Sequence, residues 1–245
     1  YMFDGTAITN VDALETKQHE GKDYISWNID SLESAKWVFA GSALMDISAL
    51  ESWDVSHLAN MSSLFISASQ LEDFSPIREW NTSNVTDMSN MFSDTAIVDI
   101  SVLSTKQYVG NDYVSWDVSN VKNMSRMFSG CEKLSNLAPI ANWDISSVTN
   151  MYGMFSHMPL LTSFPADLSG WDTSNVTNMN SLFGYSYYLS DISGLSGWNA
   201  SSVEDMGGLF DRCDYLTNVN ALANWDTSNL QKSYMMFYSA DSLSR

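Results

Sequence analysis

Apolar and polar residues follow one repeating line along this chain. Residues 116–128 read WDVSNVKNMSRMF, and the same order returns at 80–92 (WNTSNVTDMSNMF), 143–155 (WDISSVTNMYGMF) and 171–183 (WDTSNVTNMNSLF). Val121, Met124, Met127 and Phe128 are spaced i, i+3, i+6 and i+7, one apolar stripe, with Asp117 or Ser119 placed to cap the N–H groups ahead of it. That pattern predicts a short helix over 119–128. The rest of the unit is apolar at every third position: Cys131, Leu134, Leu137, Ile140 and then Trp143. A strand over 134–140, ended by a tight bend, fits this spacing best; the alternative is 116–118, where alternate residues would face inward.

The tryptophans give the period. They stand at 27, 53, 80, 116, 143, 171, 198 and 225, at intervals of 26, 27, 36, 27, 28, 27 and 27 residues, and only Trp37 is out of phase. The first copy is degenerate, with Leu32, Ala35, Val38 and Phe39 in the apolar slots, and the last has Ser233 where Met is expected. A unit of about 27 residues cannot bury a core of its own, so successive units must stack as coils, each laying its Trp, Val, Met and Phe on those of the next. With one short parallel strand per coil the rise would be roughly 4.8 Å. The expected architecture is one repeat-solenoid domain over 1–245, of α/β class, with one short strand and one short helix per coil.

The 36-residue interval is explained by an insertion. Residues 13–27 (ALETKQHEGKDYISW) match 102–116 (VLSTKQYVGNDYVSW) at an offset of 89, so two segments, 16–24 and 105–113, interrupt the array. The offset also aligns Met2 and Phe3 with Met91 and Phe92, which predicts a partial unit at the start, and no initiator Met or signal peptide precedes Tyr1. The expectation is a fragment of a longer array.

Composition narrows the partners. Eleven Lys and Arg against 29 Asp and Glu give a net charge of -18, which disfavours nucleic acid and anionic membranes. Nine Trp and 14 Met follow from the repeat itself and point to core filling. Cys131 and Cys213 occupy one slot three units apart, roughly 15 Å by strand spacing, too far for a disulfide and predicting two buried thiols.

With Met-Phe, then a small residue or Cys, then Leu and Ile at intervals, then Trp-Asp-x-Ser-Asn-Val-Thr-x-Met, the units resemble the BspA-type leucine-rich repeat surface proteins of bacteria, a lipoprotein-repeat family. The resemblance spans essentially the whole chain. It implies a leucine-rich-repeat-like, right-handed solenoid with a parallel sheet, secretion, and anchorage to the cell wall or a lipid through regions outside this segment. The three-residue spacing of Leu134, Leu137 and Ile140 departs from the commoner Leu-x-Leu pair.

Candidate chemistry lies in departures from the repeat. Beside each Trp stands Asn28, Asp54, Asn81, Asp117, Asp144, Asp172, Asn199 or Asp226. Their interchange fits an Asx turn closed by a side-chain oxygen, whereas calcium, the alternative for Asp117, Asp144 and Asp172, would resist Asn. His19, His57 and His157 share no phase, and no nucleophile, base and acid can be assembled from them. Six Asn-x-Ser/Thr sequons, at Asn60, Asn81, Asn84, Asn123, Asn175 and Asn199, follow from the repeat. Ligand contacts are expected in the two insertions, at Lys17, Gln18 and Tyr24 and at Lys106, Gln107 and Tyr113, and in the aromatic cluster Tyr185, Tyr187 and Tyr188. No catalytic residue, metal or cofactor is expected. The sequence thus predicts a monomeric, non-catalytic adhesion module of a bacterial adhesin, meeting a host or neighbouring-cell surface protein or glycan and not inserting into a membrane. A structural spacer that projects another adhesive domain is the alternative.

Overall fold

The computed structural model describes residues 6–15, 17–18, 25–26 and 29–243, and shows successive units stacked as coils. Inter-coil pairing runs through the segment expected to be helical. In the coil holding Phe128, the N–H groups of Met124, Arg126, Phe128 and Gly130 donate to the carbonyls of Asn150, Tyr152, Met154 and Ser156 in the next coil, at 3.0, 2.7, 3.1 and 3.0 Å. Four such bonds recur at each junction from Ala35 onward to Arg212, and a column of single parallel bridges runs through Ser34, Asn60, Asp87, Asn123, Asn150, Asn178, Asp205 and Lys232.

The intervening N–H groups turn back on their own coil. Met127 donates to Met124 and Cys131 to Phe128, at 3.2 Å each, so residues 124–127 and 128–131 are consecutive tight turns. A tight turn of this kind needs positive φ at its third position. Arg126 (φ 54°) and Gly130 (φ 71°) meet that need, as do Ser63 and Ser67, Asn90 and Asp94, Gly153 and His157, Ser181 and Tyr185, Gly208 and Arg212, and Met235 and Ser239. Two left-handed residues per coil, four apart, are therefore part of the frame.

Two expectations are corrected. Among the described residues there is no α-helix, and residues 134–140 form no strand but lead into a 3-10 turn, Ala138–Ile140. An apolar residue at every third or fourth position marks one inward face whether the backbone is an α-helix, a run of tight turns or a 3-10 turn. Parallel pairing needs only alternate N–H groups turned outward along the stack, and the turn strip provides them. The expected strand elsewhere, 116–118, is not formed either.

Side chains fill the interior in columns. Phe39, Phe65, Phe92, Phe128, Phe155, Phe183, Phe210 and Phe237 stack at 5.6–6.1 Å between centroids with interplanar angles of 3–17°. The methionines of the repeat, including Met124, Met127, Met151 and Met154, are buried beside them, as core filling requires. Each described in-phase tryptophan reaches back one coil. The indole Nε1 of Trp143 donates to Leu103 O at 2.7 Å, and Trp53, Trp80, Trp116, Trp171, Trp198 and Trp225 do the same to the preceding 3-10 turn at 3.0–3.3 Å.

Corners are closed by Asx turns. Asp54, Asn81, Asp117, Asp144, Asp172, Asn199 and Asp226 each accept, through Oδ1, the N–H two residues on. The same device recurs at Asn60, Asp87, Asn123, Asn150, Asn178 and Asp205. These oxygens are occupied by backbone donors, and among the described residues no cluster of three or more metal-type ligands forms. Asn28 lies outside the described residues.

The insertions are hairpins. Lys106–Gln107 pairs antiparallel with Val114–Ser115, and Lys17–Gln18 pairs with Ile25–Ser26 in the same register. The first leaves the stack after the 3-10 turn Ser101–Leu103 and returns at Trp116, which is fully buried with φ 51° and donates its N–H to Trp80 O.

Both cysteines are buried and unbridged. Cys131 Sγ donates to Phe92 O at 3.1 Å and Cys213 Sγ to Phe183 O at 3.3 Å, and burial pushes each thiol up to about 12. A thiol so shifted holds almost no thiolate at pH 8. Both should stay unlabelled by a chromogenic disulfide reagent at that pH in the native protein and both should react once it is denatured. At Ser67, exposed with φ 58°, replacement by Gly should stabilise the fold by about 0.5–1 kcal/mol, the left-handed penalty less the extra freedom of glycine in the unfolded chain. Ser67→Val should destabilise by about 1 kcal/mol or more, since a β-branched residue fits this region worst; urea denaturation measures both.

Candidate functional site

Left-handed residues stand one above another along the turn strip, and in the second of their two columns Ser67, Asp94, His157 and Arg212 are exposed. At the second left-handed position the column reads Gly41, Ser67, Asp94, Gly130, His157, Tyr185, Arg212 and Ser239. Three consecutive coils thus present planar groups. The rings of His157 and Tyr185 stack at 4.6 Å and 9°, and the Arg212 guanidinium lies over the Tyr185 ring at 5.4 Å from its centroid. Tyr187 meets the edge of Tyr185 at 6.3 Å and 85°.

A second pair flanks this column. The Arg126 guanidinium sits 4.8 Å from the Tyr152 ring centroid and donates to Tyr152 Oη at 2.7 Å. Room for it comes from Gly153, whose added Cβ would stand 3.2 Å from Arg126 Cγ. Arg126, Tyr152, His157 and Tyr185, with Asp94 and Glu132 at the far end, line a groove of about 470 Å³. Rings and guanidinium planes fixed by a backbone ladder present contact area with little ordering left to do on binding.

The sequence-predicted residues divide between two faces. Tyr185 and Tyr187 meet on the turn strip, whereas Tyr188 pairs with Tyr215 at 5.0 Å. Lys106, Gln107 and Tyr113 belong to the hairpin beside the tryptophan corner. There Lys106 Nζ lies 4.8 Å from the Tyr108 ring centroid and Gln107 Nε2 donates to Asn111 O at 2.5 Å. Tyr113 lines a cleft of about 430 Å³ with Glu51, Asp54, Glu79 and Asp112. Burial first, and then the charges of Glu79, Asp54 and Asp112, push its hydroxyl above the usual tyrosine range. Lys17 and Gln18 form one strand of the equivalent hairpin, and Tyr24 lies outside the described residues.

Sequence reasoning missed His157, Arg212, Arg126 and Tyr152. Compared only with His19 and His57, His157 has no phase; compared with Tyr185 and Arg212 it is 28 and then 27 residues away, one unit each. The signal was a polar slot filled by planar groups in consecutive copies. His57, by contrast, is tied into the frame by Nε2 at 2.7 Å from Ile29 O, and His19 lies outside the described residues.

Comparison with known proteins gives two findings. The sequence model of a family described as "Mycoplasma protein of unknown function, DUF285" matches residues 6–109, 101–194 and 158–245. A crystal structure of a leucine-rich repeat protein from Eubacterium ventriosum is similar at 13% identity with a TM-score of 0.44, over 85% of this chain and 62% of that one. This chain therefore spans less than two thirds of that protein's length. No curated protein matches.

One carboxylate beside the groove works against the fold. Asp211 stands where Ser129 and Ser156 stand in earlier coils, its Oδ1 is buried without a hydrogen-bond partner, and desolvation raises its pKa above the usual aspartate value, opposed in part by Arg212. A folded pKa above the unfolded one means that ionised Asp211 costs stability at neutral pH, a cost relieved as pH falls through the folded value. Asp54, Asp172 and Asp226 behave oppositely: bonds from Ser56, Ser174 and Ser228 lower them, and the stability they add is lost as pH falls below about 3.8. Asp211→Ser should raise the thermal midpoint at pH 7 and lose that advantage below about pH 4, as scanning calorimetry across pH would show.

Proposed function

The chain belongs to the Mycoplasma protein family of unknown function DUF285, and we propose that it is a non-catalytic, surface-displayed recognition module of a bacterial adhesin. It contacts a protein or glycan of a host or neighbouring cell through the turn strip around His157, Tyr185 and Arg212. The observation that carries this reading is the three-coil stack of planar side chains in a column otherwise held by small residues. Stacked planar groups contribute nothing the ladder needs, since the backbone bonds at these positions form equally with Ser67 or Gly130.

Amphipathic rings with a polar edge, beside a fixed guanidinium, suit partners that combine apolar faces with hydrogen-bonding groups. Display at the cell surface, through an anchor outside this segment, is part of the same proposal. A spacer role, projecting another domain, is favoured by a different observation: four inter-coil bonds at each junction from Ala35 to Arg212 make that stretch a continuous strut.

Screening the protein against arrays of extracellular-matrix proteins and glycans separates the two. Recognition predicts specific binding that falls about tenfold or more on replacing His157 and Tyr185 together by Ser, of the order of truncating one buried aromatic anchor, with the thermal midpoint kept. Absence of any binding, or binding indifferent to that change, combined with adhesion restored by an unrelated spacer of equal length, would sink it in favour of the strut.

A further inference from the structure

The hairpin between Lys106 and Ser115 ends in a tight turn over Tyr108, Val109, Gly110 and Asn111. The Asn111 N–H donates to Tyr108 O at 3.2 Å, and Gly110, third in the turn, has φ 95°. Val109 therefore stands at the tip, and it is the most exposed of the large hydrophobic residues described. Neither Val109 nor Gly110 makes a hydrogen bond to another described residue. Two-residue strands, Lys106–Gln107 and Val114–Ser115, close the hairpin, so opening its tip breaks few bonds. Ala59 is exposed as well, but its N–H donates to Glu33 O and its carbonyl accepts from Thr86, which fixes its backbone between two coils.

Going beyond the recognition reading, we infer that the Val109–Gly110 peptide bond is a processing site for an elastase-type serine protease, and that its cleavage yields two chains that stay assembled. The pocket of such a protease for the residue before the cut is small, which suits valine, and an exposed turn tip is where nicking concentrates. Hydrolysis adds the hydroxyl of a water to the Val109 carbonyl carbon and its hydrogen to the Gly110 nitrogen, leaving a carboxylate and an ammonium in solvent. The matching insertion at 16–24 has Glu20 in the place of Val109 and no aliphatic side chain, so the chain is cut in one hairpin and spared in the other. The stack does not depend on the severed bond. Across it, the N–H groups of Met88, Asn90, Phe92 and Asp94 still donate to the next coil at 2.8–3.0 Å. The Trp116 indole still donates to Ile77 O at 3.0 Å, and the Phe92 and Phe128 rings still stack at 5.7 Å. Coils that hold one another by nearest-neighbour contact lose no contact when a loop between them is opened.

The test is timed digestion of the whole chain with pancreatic elastase under native conditions, read by mass spectrometry in denaturant and by size-exclusion chromatography without it. The earliest products should be one pair, ending at Val109 and beginning at Gly110, that co-elute at the position of the uncut protein and separate only when denatured. Val109→Asp should slow that cut about tenfold or more, as a mismatched residue in a small pocket does, while Val98→Asp, a change at another exposed valine, should leave it unchanged. Thermal midpoints equal to that of the parent show that both variants are folded. Resistance of the native chain, a faster cut at any other bond, or a cut at 109–110 indifferent to Val109→Asp overturns the processing site. Fragments that part on the native column overturn the assembled two-chain form. None of these outcomes bears on binding through His157 and Tyr185, so the recognition reading stands or falls separately.

Discussion

Pairing every backbone donor while bending the chain several times per coil is the constraint from which this structure follows. A continuous strand would pair its N–H groups along the stack but could not close a coil of about 27 residues. An α-helix would satisfy its own N–H groups and leave nothing for the neighbouring coil. A left-handed residue every fourth position does both: Met124, Arg126, Phe128 and Gly130 donate along the stack while Met127, Ser129 and Cys131 donate within the coil. The Phe column, the backward-reaching indoles and the Asx corners all sit where this alternation puts them.

Such a backbone explains which features were readable in the sequence. The period, the inward residues, the buried thiols and the Asx columns follow from which residues recur, and recurrence is visible in a string of letters. Secondary structure was not, because Val121, Met124 and Phe128 are spaced alike for a helix and for successive tight turns. A glycine at Gly130 or Gly153 hinted at positive φ, but Arg126, His157 and Tyr185 fill the same two columns and hid the rule. The candidate site was half legible. Tyr185 and Tyr187 stood out as an aromatic cluster, whereas His157 and Arg212 became neighbours only when the units were stacked.

Left-handed columns also separate what the fold needs from what the surface offers. Inward slots take apolar groups of matched volume, packed against both neighbouring coils, or a small hydroxyl that donates to a backbone carbonyl, as Ser42, Thr95 and Ser186 do. The left-handed columns hold Trp, Ser, Asn, Asp, Gly, His, Tyr, Arg and Met over the same backbone geometry. The cost of a non-glycine residue there is set by φ and is much the same whichever side chain is attached, so composition along these columns is available for contact chemistry.

The hairpin at 106–115 has a consequence of another kind. Trp80 and Trp116 are 36 residues apart rather than 27, yet Asp87 still bridges Asn123, as Asn60 bridges Asp87 and Asn123 bridges Asn150. Nine extra residues have been absorbed without moving a single rung, because the chain leaves and re-enters at one corner and the indole of Trp116 locks the return. The frame registers which groups meet and is indifferent to how much chain lies between them. That corner is a port: foreign loops spliced between Leu103 and Trp116 would be held on a rigid strut at a fixed height, without redesign of the coils above or below.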